Sequence, residues 1–254
     1  MAITIKTPAE IEMMAEAGKR LAHVLEVLVS AVRVGMRTEE LDLLARKLIQ
    51  EAEAIPVFLG YHAPGSDERY PAALCVSINE TVVHGIPSGY EIRERDVVKI
   101  DAGLTWKDWN VDSARTVIAG KGTEEAKRLL KTTHAALMGG IRQARPGNTL
   151  GDIGAAIQKR VEEDGFSIVE KLCGHGIGKE LHEEPSVLNT GVPGRGLKLL
   201  PGMVLAIEPM VAAGRGKVKQ FPDDSFAAAD GSITAHFEHT VAITESGPRI
   251  LTSK

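Results

Sequence analysis

Five side chains in this sequence have the types and settings of a metal-binding set. Asp101 ends the apolar run Val97-Val98-Lys99-Ile100, and Asp112 lies on the returning stretch Val111 to Ile118. Both stretches read as strands, with the turn-prone Lys107-Asp108-Trp109-Asn110 between them. A hairpin there sets Asp101 and Asp112 nearly opposite, give or take a register step, on one face of the pair. Two carboxylates that close repel unless one is protonated or a cation sits between them. Two exposed turn acids are the plain alternative, but a solvated acid is not expected to close an apolar strand.

Glu208 repeats the plan. The apolar stretch Val204 to Ile207 ends in this carboxylate, and Pro209 then stops the ladder. Glu238 lies inside the strand-like run His236 to Ile243, where an unpaired carboxylate is costly. His175 has Gly174 and Gly176 beside it, which lets the backbone come close and leaves the imidazole unobstructed. A single structural zinc would take four ligands, mostly Cys and His. Four carboxylates and one imidazole suit two divalent ions bridged by carboxylates, four negative charges balancing four positive. Oxygen-rich ligation leans to Mn, Fe or Co, with Zn also compatible. Two such ions polarise a carbonyl and turn water into a nucleophile.

The elements that carry these residues come in two similar sets. Thr7-Pro8-Ala9-Glu10 is a helix start with a capping box, followed by Ile11, Met14, Leu21, Val24, Leu25, Leu28 and Val32 at helical spacing. Val34-Gly35 stops this helix and Thr38 starts a second, with Leu41, Leu44, Ala45 and Leu48 on one face. Thr123 opens a third helix through Leu129, Ala136, Leu137 and Ile141. Arg145-Pro146-Gly147-Asn148 breaks it, and Thr149 leads a fourth through Leu150, Ile153, Ile157 and Val161, so that Thr149 answers Thr38. Strands follow each helix pair: Leu74 to Ile78 and Val97 to Ile118, then Met203 to Ile207 and Ile233 to Ile243. The pattern predicts an α+β fold of two related halves, about 1–120 and 121–254, packed about an approximate two-fold as one catalytic domain. A site between such halves draws residues from both. Tyr61 to Tyr70 reads as a surface loop and Gln220 to Gly231 as an irregular excursion.

The chain has 254 residues, 43% of them hydrophobic, enough for one sizeable core. Its net charge of −4 and lack of a basic block argue against nucleic acid as a partner. Its apolar runs are too short to span a membrane and its N-terminus lacks a signal-peptide plan. Two cysteines, Cys75 and Cys173, make neither a disulfide framework nor a zinc-finger spacing. The expectation is a cytoplasmic protein.

These residues, in this order, resemble the type I methionine aminopeptidases of the pita-bread metallopeptidase superfamily. The resemblance covers nearly the whole chain. It is carried by Tyr70-Pro71, Cys75 to Glu80, Val83-His84-Gly85-Ile86-Pro87, Lys99-Ile100-Asp101, Asp112-Ser113-Ala114-Arg115, Gly174 to Gly178, His182-Glu183-Glu184-Pro185, Ile207-Glu208-Pro209 and Phe237-Glu238-His239-Thr240. It implies a curved antiparallel sheet covered by two helix pairs. Asp112 and Glu238 would bridge two divalent ions (Co, Mn, Fe or Zn), with Asp101 on one and His175 and Glu208 on the other. Two-metal centres of this kind, aminopeptidases among them, hold their ions about 3.5–4 Å apart.

The resemblance also gives roles to residues that their sequence setting leaves as mere candidates. His84 would approach the peptide nitrogen after the scissile bond, His182 the carbonyl oxygen as it becomes an oxyanion, and Glu208 would shuttle a proton. Methionine is unbranched and polarizable and suits a snug slot with sulfur or aromatic lining. Cys75, Tyr61, Tyr70 and Phe237 are the candidate walls. The implied partners are nascent polypeptide N-termini with a small second residue, met at the ribosome by a monomer that needs neither nucleic acid nor membrane.

The chain departs from the family pattern around the pocket. The segment after His62 is expanded over 63–69, and a Trp common before the last ligand strand gives way to Asp224 to Phe226. His236 stands where Gln is frequent and Leu181 where Phe is frequent. The rival readings are an inactive relative that binds peptides or ribosomes, a proline-directed peptidase and a two-metal phosphoesterase. An inactive binding module has no need of four converging acids. Proline-directed relatives carry a large domain ahead of the shared part, for which the residues before Pro71 leave no room. A phosphoesterase wants basic side chains around phosphate, and only Arg115 is near the motifs.

Overall fold

The computed structural model describes residues 3–62 and 68–253. The first half contains α1 (Pro8–Ala31), α2 (Thr38–Glu51), β1 (Ile55–Pro56), β2 (Cys75–Ile78), β3 (Thr81–Val83), β4 (Val97–Trp106) and β5 (Trp109–Ile118). The second contains α3 (Glu124–Gln143), α4 (Leu150–Glu163), β6 (Ser167–Ile168), β7 (Gly174–Gly176), β8 (Glu183–Val187), β9 (Val204–Ile207) and β10 (Met210–Ala212). It continues through β11 (Val218–Gln220), β12 (Phe226–Ala228), β13 (Thr234–His236), β14 (His239–Thr244) and β15 (Gly247–Ile250). Every strand pairing is antiparallel.

Thr7 and Glu10 form the expected capping box, with Thr7 N donating to Glu10 Oε2 at 2.8 Å. Val32 falls just beyond α1 as its C-cap. The second helix of each half starts alike, but the matching positions are Arg37 and Thr149. Each is an N-cap whose backbone N–H donates to an acid three residues on, Glu40 or Asp152, at 2.8 Å. Each also makes an isolated bridge, Arg37 to Glu91 and Thr149 to Lys198. Thr38 is therefore inside its helix, one residue past the position that Thr149 answers.

Each helix pair covers its own apolar cluster. Met14, Leu21, Leu25, Leu41 and Ile49 pack with Ile100 and Leu104 of β4. Leu129, Leu137, Ile153 and Ile157 pack with Leu205 and Ile207 of β9 and with Val241 and Ile243 of β14. The strands beneath are β1-β4-β2 with β5 on β4, and β15-β14-β9-β7-β8. The two sets meet where Asp112 N donates to Thr240 Oγ1 at 2.9 Å and that hydroxyl donates back to Asp112 O at 2.8 Å. Buried Lys99 adds a second tie, donating to Asn79 O and Thr234 O.

The Gln220–Gly231 stretch is more regular than expected. β11 runs into it at Gln220 and pairs with β12 inside it, and β12 continues onto β3. These strands have three residues each, too short for hydrophobic alternation to register. Among the described residues, no helix is long and apolar enough to cross a membrane.

Candidate metal centre

The β4–β5 hairpin turns through two residues, Lys107 and Asp108, both with positive φ (49° and 63°), and pairs Trp106 with Trp109. Such a turn matches the natural twist of the two strands. Asn110, expected in the turn, lies in β5, and Asp101, expected to close its strand, lies in the middle of β4, which runs on to Trp106. The register sets Asp112 opposite Gly103 and Asp101 opposite Ala114, so the two acids are diagonal neighbours rather than opposed. An offset of two residues preserves the face, and both carboxylates still point into the site.

Glu238 joins them in the break between β13 and β14. Its backbone N–H donates to Ala114 O at 3.1 Å, and its carbonyl accepts from Ser113 Oγ at 2.7 Å and from Arg115 at 2.9 Å. Glu208 directly follows the last residue of β9, and its carbonyl accepts from Asn189. His175 is central in β7, between β9 and β8. Its glycines serve close strand approach: a Cβ on Gly174 would lie 2.2 Å from Ala206 O, and one on Gly176 2.3 Å from Glu184 O. The His175 Nδ1–H donates to Gly176 O at 2.8 Å, which leaves Nε2 as the free lone pair, 3.7 Å from Glu208 Oε1.

The electrostatics call for a cation. Burial, then the neighbouring acids Asp112 and Glu208, holds Asp101 well above the usual carboxylate range. Burial and then Asp112 does the same to Glu208 and Glu238, and burial pushes Asp112 up to about 7. Burial brings His175 down to about 4, so its ring is neutral at neutral pH and offers an uncharged nitrogen to the site. Asp101 Oδ1 and Glu238 Oε1 are buried without a hydrogen-bond partner. Ligand atoms of Asp112, His175 and Glu238 lie within 4.8 Å of one another, and so do those of Glu208, His236 and Glu238. Divalent ions would supply the missing partners and offset the repulsion that otherwise keeps these acids protonated.

The four carboxylates and His175 line one cavity of about 680 Å³. Cys75, Tyr61, Tyr70, His84 and His182 line it too. The two histidine rings are exposed to the cavity but closely ringed by protein. Burial lowers His84 and, with His175 and His84 nearby, brings His182 to about 3. The His84 Nδ1–H donates to Asp224 O at 3.2 Å, a tautomer assigned from its partner that leaves Nε2 as an acceptor. His84 also holds a positive φ of 60°, costly for a side chain other than Gly.

Residues 12–245 match the family model for Metallopeptidase family M24. The chain belongs to this family. It is 45% identical to methionine aminopeptidase of Clostridium perfringens, over 98% of each chain. It is 43% identical to methionine aminopeptidase 1 of Bacillus subtilis, over 98% of this chain and 99% of that one. Among solved structures, methionine aminopeptidase from Thermotoga maritima superposes with a TM-score of 0.95 at 40% identity, covering all of both chains. Prolidase from Pyrococcus furiosus shares the fold, with a TM-score of 0.77 at 23% identity, over 98% of this chain and 65% of that one. The fold is thus the α+β pita-bread architecture that the sequence led us to expect.

For this M24 chain, one expected pocket wall is misplaced. Phe237 does not line the cavity. It packs in the second apolar cluster, its ring 5.5 Å from that of His134. Adjacent residues in extended backbone face opposite ways, so a Glu238 that faces the acids turns Phe237 toward the helices. Phe58, passed over in the sequence, takes a place in the lining. Its signal was scarcity: it is one of five Phe in the chain. Pro222, Asp223 and Asp224 line the cavity too, Asp224 beside His84. Of the expanded 63–69 segment, 63–67 lie outside the described residues, and Glu68 and Arg69 reach the lining.

Proposed function

We propose that the chain removes the N-terminal methionine from polypeptides by metal-dependent hydrolysis, with preference for a small second residue. The observation that carries this reading is the convergence of four buried carboxylates and one neutral imidazole on a cavity that also holds Cys75 and Tyr70. The identity of 41–46% to methionine aminopeptidases over nearly the whole chain points the same way. The ligands come from both halves, so 1–254 acts as one catalytic domain.

Asp101, Asp112, His175, Glu208 and Glu238 would hold the divalent ions, two of them by the balance of four carboxylates against four positive charges. Co, Mn, Fe and Zn all fit this donor set. When bound, the ions polarise the scissile carbonyl and acidify a water. Cys75, Tyr70 and Phe58 grip the methionine side chain, and Tyr61 closes the slot. His182 Nε2–H donates to the carbonyl oxygen as charge gathers there. His84 Nε2 accepts from the N–H on the far side of the scissile bond. Glu208 takes a proton from the attacking water and delivers it to the leaving amine, while the new C–O bond replaces the C–N bond. The substrate is a nascent chain at the ribosome, and the enzyme is a cytoplasmic monomer.

The test is metal-reconstituted hydrolysis of a Met-Ala-Ser peptide beside Xaa-Pro and phosphate-ester substrates. Release of methionine alone, abolished by chelation, with two ions per chain by calorimetry, is the expected result. A metal-loaded protein that binds Met-Ala-Ser without cleaving it would mean an inactive relative.

A further inference from the structure

His236 ends β13, opposite Met210, with its backbone clamped to Thr116 through Thr116 Oγ1, which donates to His236 O at 2.6 Å and accepts from His236 N at 3.0 Å. Its side chain is 2% exposed, and Nε2 lies 3.2 Å from Glu208 Oε2. Yet neither ring nitrogen has a well-directed hydrogen-bond partner. Two buried ring nitrogens without aligned partners cost folding stability, which argues against a packing role. Glu208 faces the cavity, whereas His236 is absent from its lining and meets Glu208 from the wall side. The two Glu208 oxygens are thus divided: Oε1 is toward His175 and Oε2 toward His236.

We propose that His236 is a positioning residue for Glu208: its Nε2–H donates to Oε2 once the carboxylate is ionised, and this directs Oε1 at the ion shared with His175. The inference rests on the metal centre proposed above. Ligating carboxylates depend on such outer partners for orientation, and losing one typically weakens metal affinity about 10–100-fold. A neutral imidazole carries one proton, so the proposal assigns it to Nε2 and leaves Nδ1 bare.

The test titrates cobalt(II) into the metal-free wild-type chain and into His236→Gln and His236→Leu. His236→Leu should lose about 10–100-fold in affinity for one ion and keep the other, while the amide of His236→Gln restores the donor and both affinities. The wild-type chain, 15N-labelled at histidine and titrated with zinc, provides a second measurement that does not depend on a variant folding. The His236 Nε2–H resonance should persist and move downfield as the bond to Glu208 tightens. His236→Leu binding both ions like the wild type, or an Nε2–H unmoved by zinc, would overturn the proposal. Loss of the Nε2 proton on zinc binding would overturn it too, by making His236 a ligand. A wild-type chain that binds no ion would instead defeat the metal centre itself.

Discussion

The Tyr61 hydroxyl lies 2.6 Å from Nδ1 of His182, and the two rings meet edge to face with centroids 5.4 Å apart. With that hydroxyl donating, Nδ1 is the acceptor, and Nε2 carries the ring's proton. His84 is held the other way, by the Asp224 carbonyl on its Nδ1–H. Two neutral imidazoles in one cavity are thereby set as a donor and an acceptor. We predict that Tyr61→Phe lowers kcat about fivefold, the worth of one neutral hydrogen bond of about 1 kcal/mol, with KM little changed. Steady-state kinetics on Met-Ala-Ser check this, and an unchanged kcat would reduce Tyr61 to a wall of the slot.

The raised carboxyls make metal stabilisation pH-dependent. Asp112 titrates at about 7 in the metal-free fold, against an ordinary value of about 4 in the unfolded chain. Its contribution to metal-free stability is therefore complete below pH ~4 and is lost as pH rises through about 7. Bound ions displace those protons and remove the repulsion. The rise in melting temperature on adding excess metal should be small at pH ~5 and large at pH ~8. Taking the difference between melts with and without metal cancels groups that metal does not touch. Equal increments at both pH values would contradict a centre built on these acids.

Gly176 is a close-approach position, and Gly176→Ala tests it. The added Cβ would sit 2.3 Å from the Glu184 carbonyl, a backbone atom that cannot swing aside. Overpacking of this kind costs about 1–3 kcal/mol, several degrees of melting temperature in a chain of this length. Displacing β7 also moves His175, so calorimetry should show one ion weakened with it. Full binding of both ions by this variant would place the His175 ring outside the metal site.

Phe237 and Cys75 should part company when truncated. Phe237→Ala removes a ring from the core and should cost about 3–5 kcal/mol of stability while leaving the relative rates on Met-Ala and Leu-Ala peptides as they were. Cys75→Ala reshapes the cavity wall and should shift that ratio by about 1 kcal/mol, roughly fivefold. A ratio that moves with Phe237 would return this residue to the pocket.

Residue type and local pattern alone mark which residues are chemical and roughly where each sits on its own element. Glu208 directly follows an apolar strand, Thr7 and Thr149 open helices, and Gly174 and Gly176 bring strands together. Each of these follows from stereochemistry within a few neighbouring residues, and even the shared face of Asp101 and Asp112 survived a register error, because side chains alternate with period two. What lay beyond reach was contact between distant segments. The two-residue turn at Lys107-Asp108, the short pairing of β12 with β3 and the inward turn of Phe237 depend on which strands meet. So do the pairs Tyr61–His182 and His236–Glu208, whose partners are 121 and 28 residues apart. No local propensity encodes a hydrogen bond across that separation. Only the packing of two helix-covered halves brings those partners within reach, and that same packing presses four acids together tightly enough to require a cation.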